Sequence, residues 1–415
     1  MVSTRPVYRP PAPPPQRRLP PHVYWRRRAL VVLAAITIGY VVYMGSTLAV
    51  ALTNQAYGAS YMARAAEWGR QHGMGGVVTW VETEWYKLHP ARKGGLPSGS
   101  HVFGEGPTKV VLPSGVAHLP APTTIATPAA HALPGEGVWH VVARRASDGA
   151  PGLYVAYVRP DPVHTSYVVG VAWMDPTVLQ AQLYSGSFIP GVGMPFRHTA
   201  PIPPVASRSL VAAFNAGFRM QDANGGYYTD GRTLIPLRTG AASAVVYRDG
   251  QMTVGAWGQG GLVMSAQVAS VRQNLDLIVR DGRAVPGLAN QNTDKWGKVI
   301  GNSFNVWRSG MGVTKNGAIV YVGGPALSIS DLANVLVRAG VQSGMELDIN
   351  TDWVQFAYFA GAPNAAVSGA NGTNLLGGMT YPPSRFFASW MNRDFYTMSL
   401  RSTPLPSTTT TVAGG

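Results

Sequence analysis

Three acidic residues fall within seven positions in the stretch Met345–Asp352, M-E-L-D-I-N-T-D, of a chain that has only 19 in all. Successive side chains of a strand point to opposite faces. Read as a strand, Glu346, Asp348, Asn350 and Asp352 share one face, and Met345, Leu347, Ile349 and Thr351 share the other. An apolar face anchors such a strand in a core while its carboxylates line a cleft; the plain alternative is a solvated strand face, because carboxylates are mostly exposed. Carboxylates held close together repel, which splits their pKa values and suits a pair that works as acid and base. Oxygen ligands also suit a hard cation, so Asp348, Asn350 and Asp352 form a candidate site for calcium or another divalent ion.

Two further segments complement these carboxylates. In Phe214-Asn215-Ala216-Gly217-Phe218, Asn215 supplies one acceptor and two donors, and Gly217 lets a ligand approach the backbone. In Trp307-Arg308-Ser309-Gly310-Met311-Gly312, Arg308 suits a bidentate contact to a phosphate or carboxylate. Other chemistries are excluded. There is no cysteine, so no thiolate nucleophile or thiolate metal site. G-x-S-x-G, H-E-x-x-H and the Walker loop are absent, and the nine histidines include no pair at metal-ligand spacing. Any catalysis in this chain falls to carboxylates, Asn and Arg.

The elements that position these residues are legible. Ala318–Val322 reads as a strand. Ser330 and Asp331 suit the start of a helix, Leu332, Val335, Leu336 and Ala339 its buried stripe, and Gly340 its stop. Met345–Ile349 then makes the second strand of a βαβ crossover, in which ligands gather at the carboxyl ends of strands. Trp139–Arg144, Leu153–Val158, Tyr167–Trp173 and Leu210–Phe218 are further strand candidates. Asp249-Gly250, Asp281-Gly282 and Asn316-Gly317 predict hairpins with type I′ turns. The expected fold class is mixed α+β: largely antiparallel sheet with hairpins and at least one βαβ crossover. Residues 361–380, rich in Gly, Asn and Ala, are a candidate lid or, equally, a disordered loop.

Ahead of this domain, residues 1–28 form a Pro- and Arg-rich tail and residues 29–52 contain no charged side chain. That run matches the roughly 20 apolar residues of a membrane-spanning helix. Arg26-Arg27-Arg28 place the N-terminus in the cytoplasm, and Tyr24 and Trp25 fit the interface. Ala49-Val50-Ala51 resembles a signal cleavage site, but the run exceeds the ~7–15 residues of a signal h-region. The expectation is a single-pass cell-membrane protein with its main domain outside the cytoplasm. Residues 53–90 read as a helical stem, 91–134 as a linker, 135–401 as the main domain and 402–415 as a disordered tail. Seven of the charges behind the net +14 precede residue 29, where a membrane anchor uses them, so nucleic acid is not an expected partner.

The order A-F-N-A-G-F, then W-R-S-G-M-G-V-T-K-N-G-A-I-V-Y-V, then the S-x-S-D-L helix and M-E-L-D resembles the phosphodiester glycosidase family over roughly residues 205–355. The resemblance implies a hydrolase, with Asp348 matching the aspartate of the family's L-D-G-G-G-S-[ST], Arg308 its hairpin arginine, and Asn215 and Gly217 its N-G-G-F-F-like turn. The first expectation is an extracytoplasmic hydrolase of a cell-envelope glycan, phosphodiester-linked or glycosidic. Asp348, Glu346, Arg308 and Asn215 would be catalytic, with Gly217, Asn350, Asp352 and Trp353 at the substrate. Where the family has its glycine loop, this chain has Ile349-Asn350-Thr351-Asp352-Trp353. The second expectation is therefore a non-catalytic module that binds envelope polysaccharide, through a cation held by Asp348, Asn350 and Asp352.

Overall fold

A computed structural model describes residues 20–98, 103, 115–191, 196–289, 294–296, 305–359 and 366–402. Two compact units divide the chain after Asn54. The first contains helix α1 (Pro21–Thr53), which is long and apolar enough to cross a membrane. At 1.5 Å per residue, 33 residues reach about 50 Å, beyond the ~30 Å hydrocarbon core.

The second unit opens with α2 (Tyr61–Gln71) and α3 (Gly75–Leu88), then β1 (His140–Arg144), β2 (Pro151–Val158), β3 (Val169–Met174) and β4 (Leu179–Tyr184). The short α4 (Pro204–Ser207) precedes β5 (Leu210–Asn215), β6 (Tyr227–Thr229), β7 (Arg232–Ile235), β8 (Ala242–Tyr247), β9 (Met252–Ala256) and β10 (Val268–Gln273). Next come β11 (Leu277–Arg280), β12 (Arg283–Ala284), β13 (Val306–Thr314) and β14 (Ile319–Leu327). Helix α5 (Ile329–Arg338) leads to β15 (Val341–Ile349), β16 (Phe356–Phe359), β17 (Gly372–Asn374) and β18 (Phe395–Leu400).

These strands form three antiparallel sheets. The largest runs β1-β2-β3-β14-β13-β15-β11-β12; the others run β7-β6-β10-β8-β9 and β17-β16-β5-β18-β4. One face of the large sheet (Met174, Met311, Tyr321, Met345, Leu347) packs on residues of both smaller sheets, including Phe214, Phe356, Tyr396, Ala244 and Val254. The other face (Trp173, Val320, Val322) packs on Leu332, Val335 and Leu336 of α5. The crossover β14–α5–β15 is present. Both strands are antiparallel to β13, which lies between them, so they run parallel one strand apart.

Several local expectations change. Ser328, not Ser330, caps α5: its Oγ accepts from Asp331 N at 3.1 Å, and Asp331 Oδ2 accepts from Ser328 N at 3.0 Å. That reciprocal box satisfies two N-terminal donors, which Ser330, already inside the first turn, cannot reach. A type I′ turn needs positive φ at both central residues. Asp281-Gly282 (φ 50° and 71°) meets this, whereas at Asp249-Gly250 and Asn316-Gly317 the glycine alone is left-handed, and those loops are longer. A second such turn, Asp230-Gly231 (φ 52° and 76°), joins β6 to β7 and has the same dipeptide signal.

The stem is two helices, broken at Gly73 (φ 78°). Of its apolar row, Val77, Val81, Trp85 and Leu88 are exposed, and Val78 turns toward Gly69 of α2. The described part of the expected linker is pinned to the domain. Ile125 is buried in the core on α5's side of the large sheet, Trp139 Nε1 donates to Thr123 O at 2.8 Å, and Leu119 N donates to Asp175 Oδ2 at 2.6 Å. An apolar side chain in the core and paired backbone groups fix a segment that composition alone reads as loose. Of the expected lid, residues 361–365 lie outside the described residues, while β17 pairs with β16 and Leu375 is buried, making that portion a sheet edge. The tails 1–19 and 403–415 also lie outside the described residues.

Leu332→Ala should cost about 2–5 kcal/mol in urea unfolding, because it empties a fully buried site between α5 and the large sheet. Ser328→Ala should cost about 1 kcal/mol. A loss below ~0.5 kcal/mol for Leu332→Ala would contradict this packing.

Candidate active site

The site grows from an irregularity in β15. Arg308 pairs with Ile349 and Gly310 with Glu346, so two residues of β15, Leu347 and Asp348, stand opposite Ser309. This is a β-bulge, which bends the strand and re-aims a side chain. Ser309 secures it: its Oγ accepts from Asp348 N at 3.2 Å and donates to Asp348 O at 3.3 Å. The strict alternation expected for Met345–Asp352 therefore fails. Asp348 lines a small cavity and Glu346 does not.

The strand ends at Ile349. Asn350 takes φ 87°, and its Oδ1 accepts from Asp352 N at 2.9 Å, closing a turn. Asp352 points elsewhere; its Oδ1 accepts from Ala59 N at 3.2 Å, just ahead of α2. Asn350 and Asp352 thus leave the face they were expected to share with Asp348, because a tight turn replaces the strand. Among the described residues, no group of three or more His, Asp or Glu side chains is placed to hold a metal ion.

Arg308 and Glu346 form one buried ion pair, Nη1 to Oε1 at 2.6 Å, with neither side chain exposed. Arg308 Nε also donates to Leu327 O at 2.9 Å. Burial pushes the Glu346 carboxyl up, to about 7, and Arg308 pulls against it. The arginine expected at a substrate anion is instead engaged by an internal carboxylate. Asn215 is similarly occupied. Its Oδ1 accepts from Tyr321 OH at 3.0 Å and Gln355 N at 3.2 Å, and its Nδ2 donates to Ser309 Oγ at 3.0 Å. It positions the bulge through Ser309. A Cβ on Gly217 would lie 3.0 Å from Asn274 Oδ1 and 3.2 Å from Arg272 Cζ, so close packing requires glycine there.

Asn215, Gly217 and Asp348 meet Trp353, Arg385, Arg393 and Asp394 around the cavity, whose volume of about 10 Å³ has room for one water molecule. Arg393 Nη1 is 3.7 Å from Asp348 Oδ2, and its guanidinium stacks 4.0 Å from the Trp353 ring centre. Arg385 lies 3.7 Å from the Tyr381 ring centre and 5.2 Å from that of Trp353. Such stacking suits a planar, weakly hydrated guanidinium. Asp394 pairs with Arg272 at 2.8 Å, both fully buried. Burial drives the Asp348 carboxyl up to about 7, against Arg393, the Ile349 N–H and the more distant Arg272 and Arg219. Burial likewise lowers Arg393, and lowers Arg385 to about 10. Both members of the Asp348–Arg393 contact move toward neutrality because 3.7 Å is beyond hydrogen-bond reach and desolvation dominates.

Sequence reasoning missed Arg385, Arg393 and Asp394. The available signal was Arg393-Asp394, adjacent opposite charges directly before an aromatic strand in a chain with few charges. Their placement beside Asp348 comes from β18 pairing with β5, a contact across about 180 residues of sequence.

No protein-family model matches this chain, and no curated protein does. Among solved structures, the chain is similar to the zebrafish N-acetylglucosamine-1-phosphodiester alpha-N-acetylglucosaminidase catalytic domain auto-inhibited by pro-peptide. The two share 13% identity at a TM-score of 0.41, over 62% of this chain and 87% of that one. A hypothetical protein from Synechocystis is similar at 12% identity and a TM-score of 0.33, over 64% of each chain.

Unfolded Asp348 ionises near 4 and folded Asp348 near 7, so between those values the folded state binds more protons. Stability from this group is therefore lost as pH rises from about 4 to about 7, and stays lost above. Relative to Asp348→Asn, the wild type should lose on the order of 4 kcal/mol between pH 4 and pH 8 in urea unfolding. A pH-independent difference would contradict the burial argument.

Proposed function

We propose that this protein is a membrane-anchored, extracytoplasmic hydrolase of a cell-envelope glycan, cleaving a sugar phosphodiester or glycosidic bond at Asp348. The observation that carries the reading is the meeting of two carboxyls with different surroundings in one cavity: Asp348, pushed toward neutrality by burial, and Asp394, held by Arg272. In this mechanism Asp348 gives its proton to the leaving-group oxygen. Asp394, whose Oδ1 is buried without a hydrogen-bond partner, takes a proton from the attacking water. Arg393, whose Nη1 likewise makes no hydrogen bond, faces the charge that develops on the scissile group. Arg308, Glu346, Asn215 and Ser309 act by holding the bulge that aims Asp348. Helix α1 supports the anchor by length and composition, and Arg26-Arg27-Arg28 support a cytoplasmic N-terminus.

A second reading, a polysaccharide-binding module without catalysis, is favoured by the Asn350-Thr351-Asp352-Trp353 turn that stands where the resembled family has its glycine loop. Room for one water leaves none for a sugar, so on either reading the cavity must open by a movement of its lining. A divalent cation remains part of that reading, with Asp348, Asn350 and Asp352 as its ligands after such a movement.

The discriminating experiment is a chromatographic product screen against phosphodiester-linked and plain envelope sugars. Asp348→Asn should lower hydrolysis about 10²–10⁴-fold while the circular dichroism spectrum stays unchanged. Asp394→Asn should also lower it, but at a cost of about 3–5 kcal/mol in stability because it leaves Arg272 buried without its carboxylate. Wild-type turnover in Asp348→Asn would overturn the assignment. Chelator-sensitive glycan binding without product would establish the second reading.

A further inference from the structure

A second, much larger cleft lies over β4 and β18. It encloses about 830 Å³, within the ~300–1,000 Å³ range of ligand sites, and shares no lining residue with the Asp348 cavity. Its floor is one face of these two paired strands. Alternation along them sends Leu183, Tyr396 and Met398 into the core and leaves Gln180, Gln182, Thr397 and Ser399 lining the cleft.

The floor is a polar ladder of two cross-strand pairs, Gln182 with Thr397 and Gln180 with Ser399. Tyr184 continues it, stacked on Phe395 at 5.2 Å. Three arginines border the cleft: Arg197, Arg232 beside the Asp230-Gly231 turn, and Arg248 just after β8. All three are exposed, and none forms an ion pair with a carboxylate among the described residues. The one acid in the lining, Asp230, accepts from Arg197 N at 2.6 Å.

We propose that this cleft binds an acidic oligosaccharide. The side-chain amides and hydroxyls of the floor match sugar hydroxyls, and Tyr184 offers an aromatic edge. The three guanidinium groups match carboxylate or phosphate substituents. Strand β18 links the two sites: Asp394 immediately precedes it, and Thr397 lies about 10 Å further along. The proposal does not depend on hydrolysis at Asp348.

The test is a ligand-observed NMR titration of the full chain in nanodiscs. The probes are tetragalacturonate and phosphorylated maltotetraose, beside neutral maltotetraose and a tetradeoxyadenylate. Binding of at least one acidic sugar, about tenfold weaker in Arg232→Gln/Arg248→Gln and unchanged in Asp348→Asn, is expected. Gln182→Ala should also weaken it, by severalfold, which a purely electrostatic attraction would not show. Failure of both acidic sugars to bind would overturn the proposal. So would equal binding of neutral maltotetraose, equal binding of the oligonucleotide, or no effect of the double variant when its thermal melt matches wild type.

Discussion

Removing charge from water is the constraint on which this domain depends. Arg308–Glu346 and Arg272–Asp394 are ion pairs with no exposed side chain. Burying each ion costs several kcal/mol, which close pairing and hydrogen bonds must offset. The pairs bracket the bulged strand β15. Arg308 reaches Leu327 O as well as Glu346, and Arg272 reaches Asp394 and the Phe218 carbonyl. Asn274 completes the frame by donating to Glu346 O and Leu347 O at 2.7 and 3.0 Å. With these contacts in place, Asp348 has little freedom and is buried apart from one small cavity.

That environment explains the division of labour among the polar residues. Asn215, whose amide oxygen and nitrogen are both engaged, holds geometry. Asp394 Oδ1 and Arg393 Nη1, left without hydrogen bonds, belong to residues that border the cavity. Buried polar atoms without partners are uncommon in folded proteins, and a catalytic role is one physical reason for keeping them. The α2 segment adds a further layer: Glu67 pairs with Arg219 at 3.2 Å, and Ala59 holds Asp352. Part of the segment expected to form a helical stem therefore packs against residues near the site.

Much of the fold was legible because it follows local rules. Apolar runs between turns marked β1, β2, β3 and β5, the stripe Leu332–Ala339 marked α5, and Asp281-Gly282 marked its turn. Asn215, Gly217, Asp348 and Trp353, singled out by residue type and order, line one small cavity. What was not legible depends on distant pairing. A bulge has no sequence signature of its own, so Glu346 and Asp348 read as sharing a face. Asn350 and Asp352 looked like strand residues, whereas the φ of Asn350 turns the chain. Arg393 and Asp394 reach the site only because β18 lies beside β5.

Everything at the site turns on burial raising the Asp348 carboxyl toward neutral pH. Carbon-13 NMR titration of aspartate carboxyls, with Asp348→Asn to assign the signal, measures this directly. A midpoint of about 7 is expected for Asp348. A midpoint near the ordinary aspartate value of about 4 would contradict it.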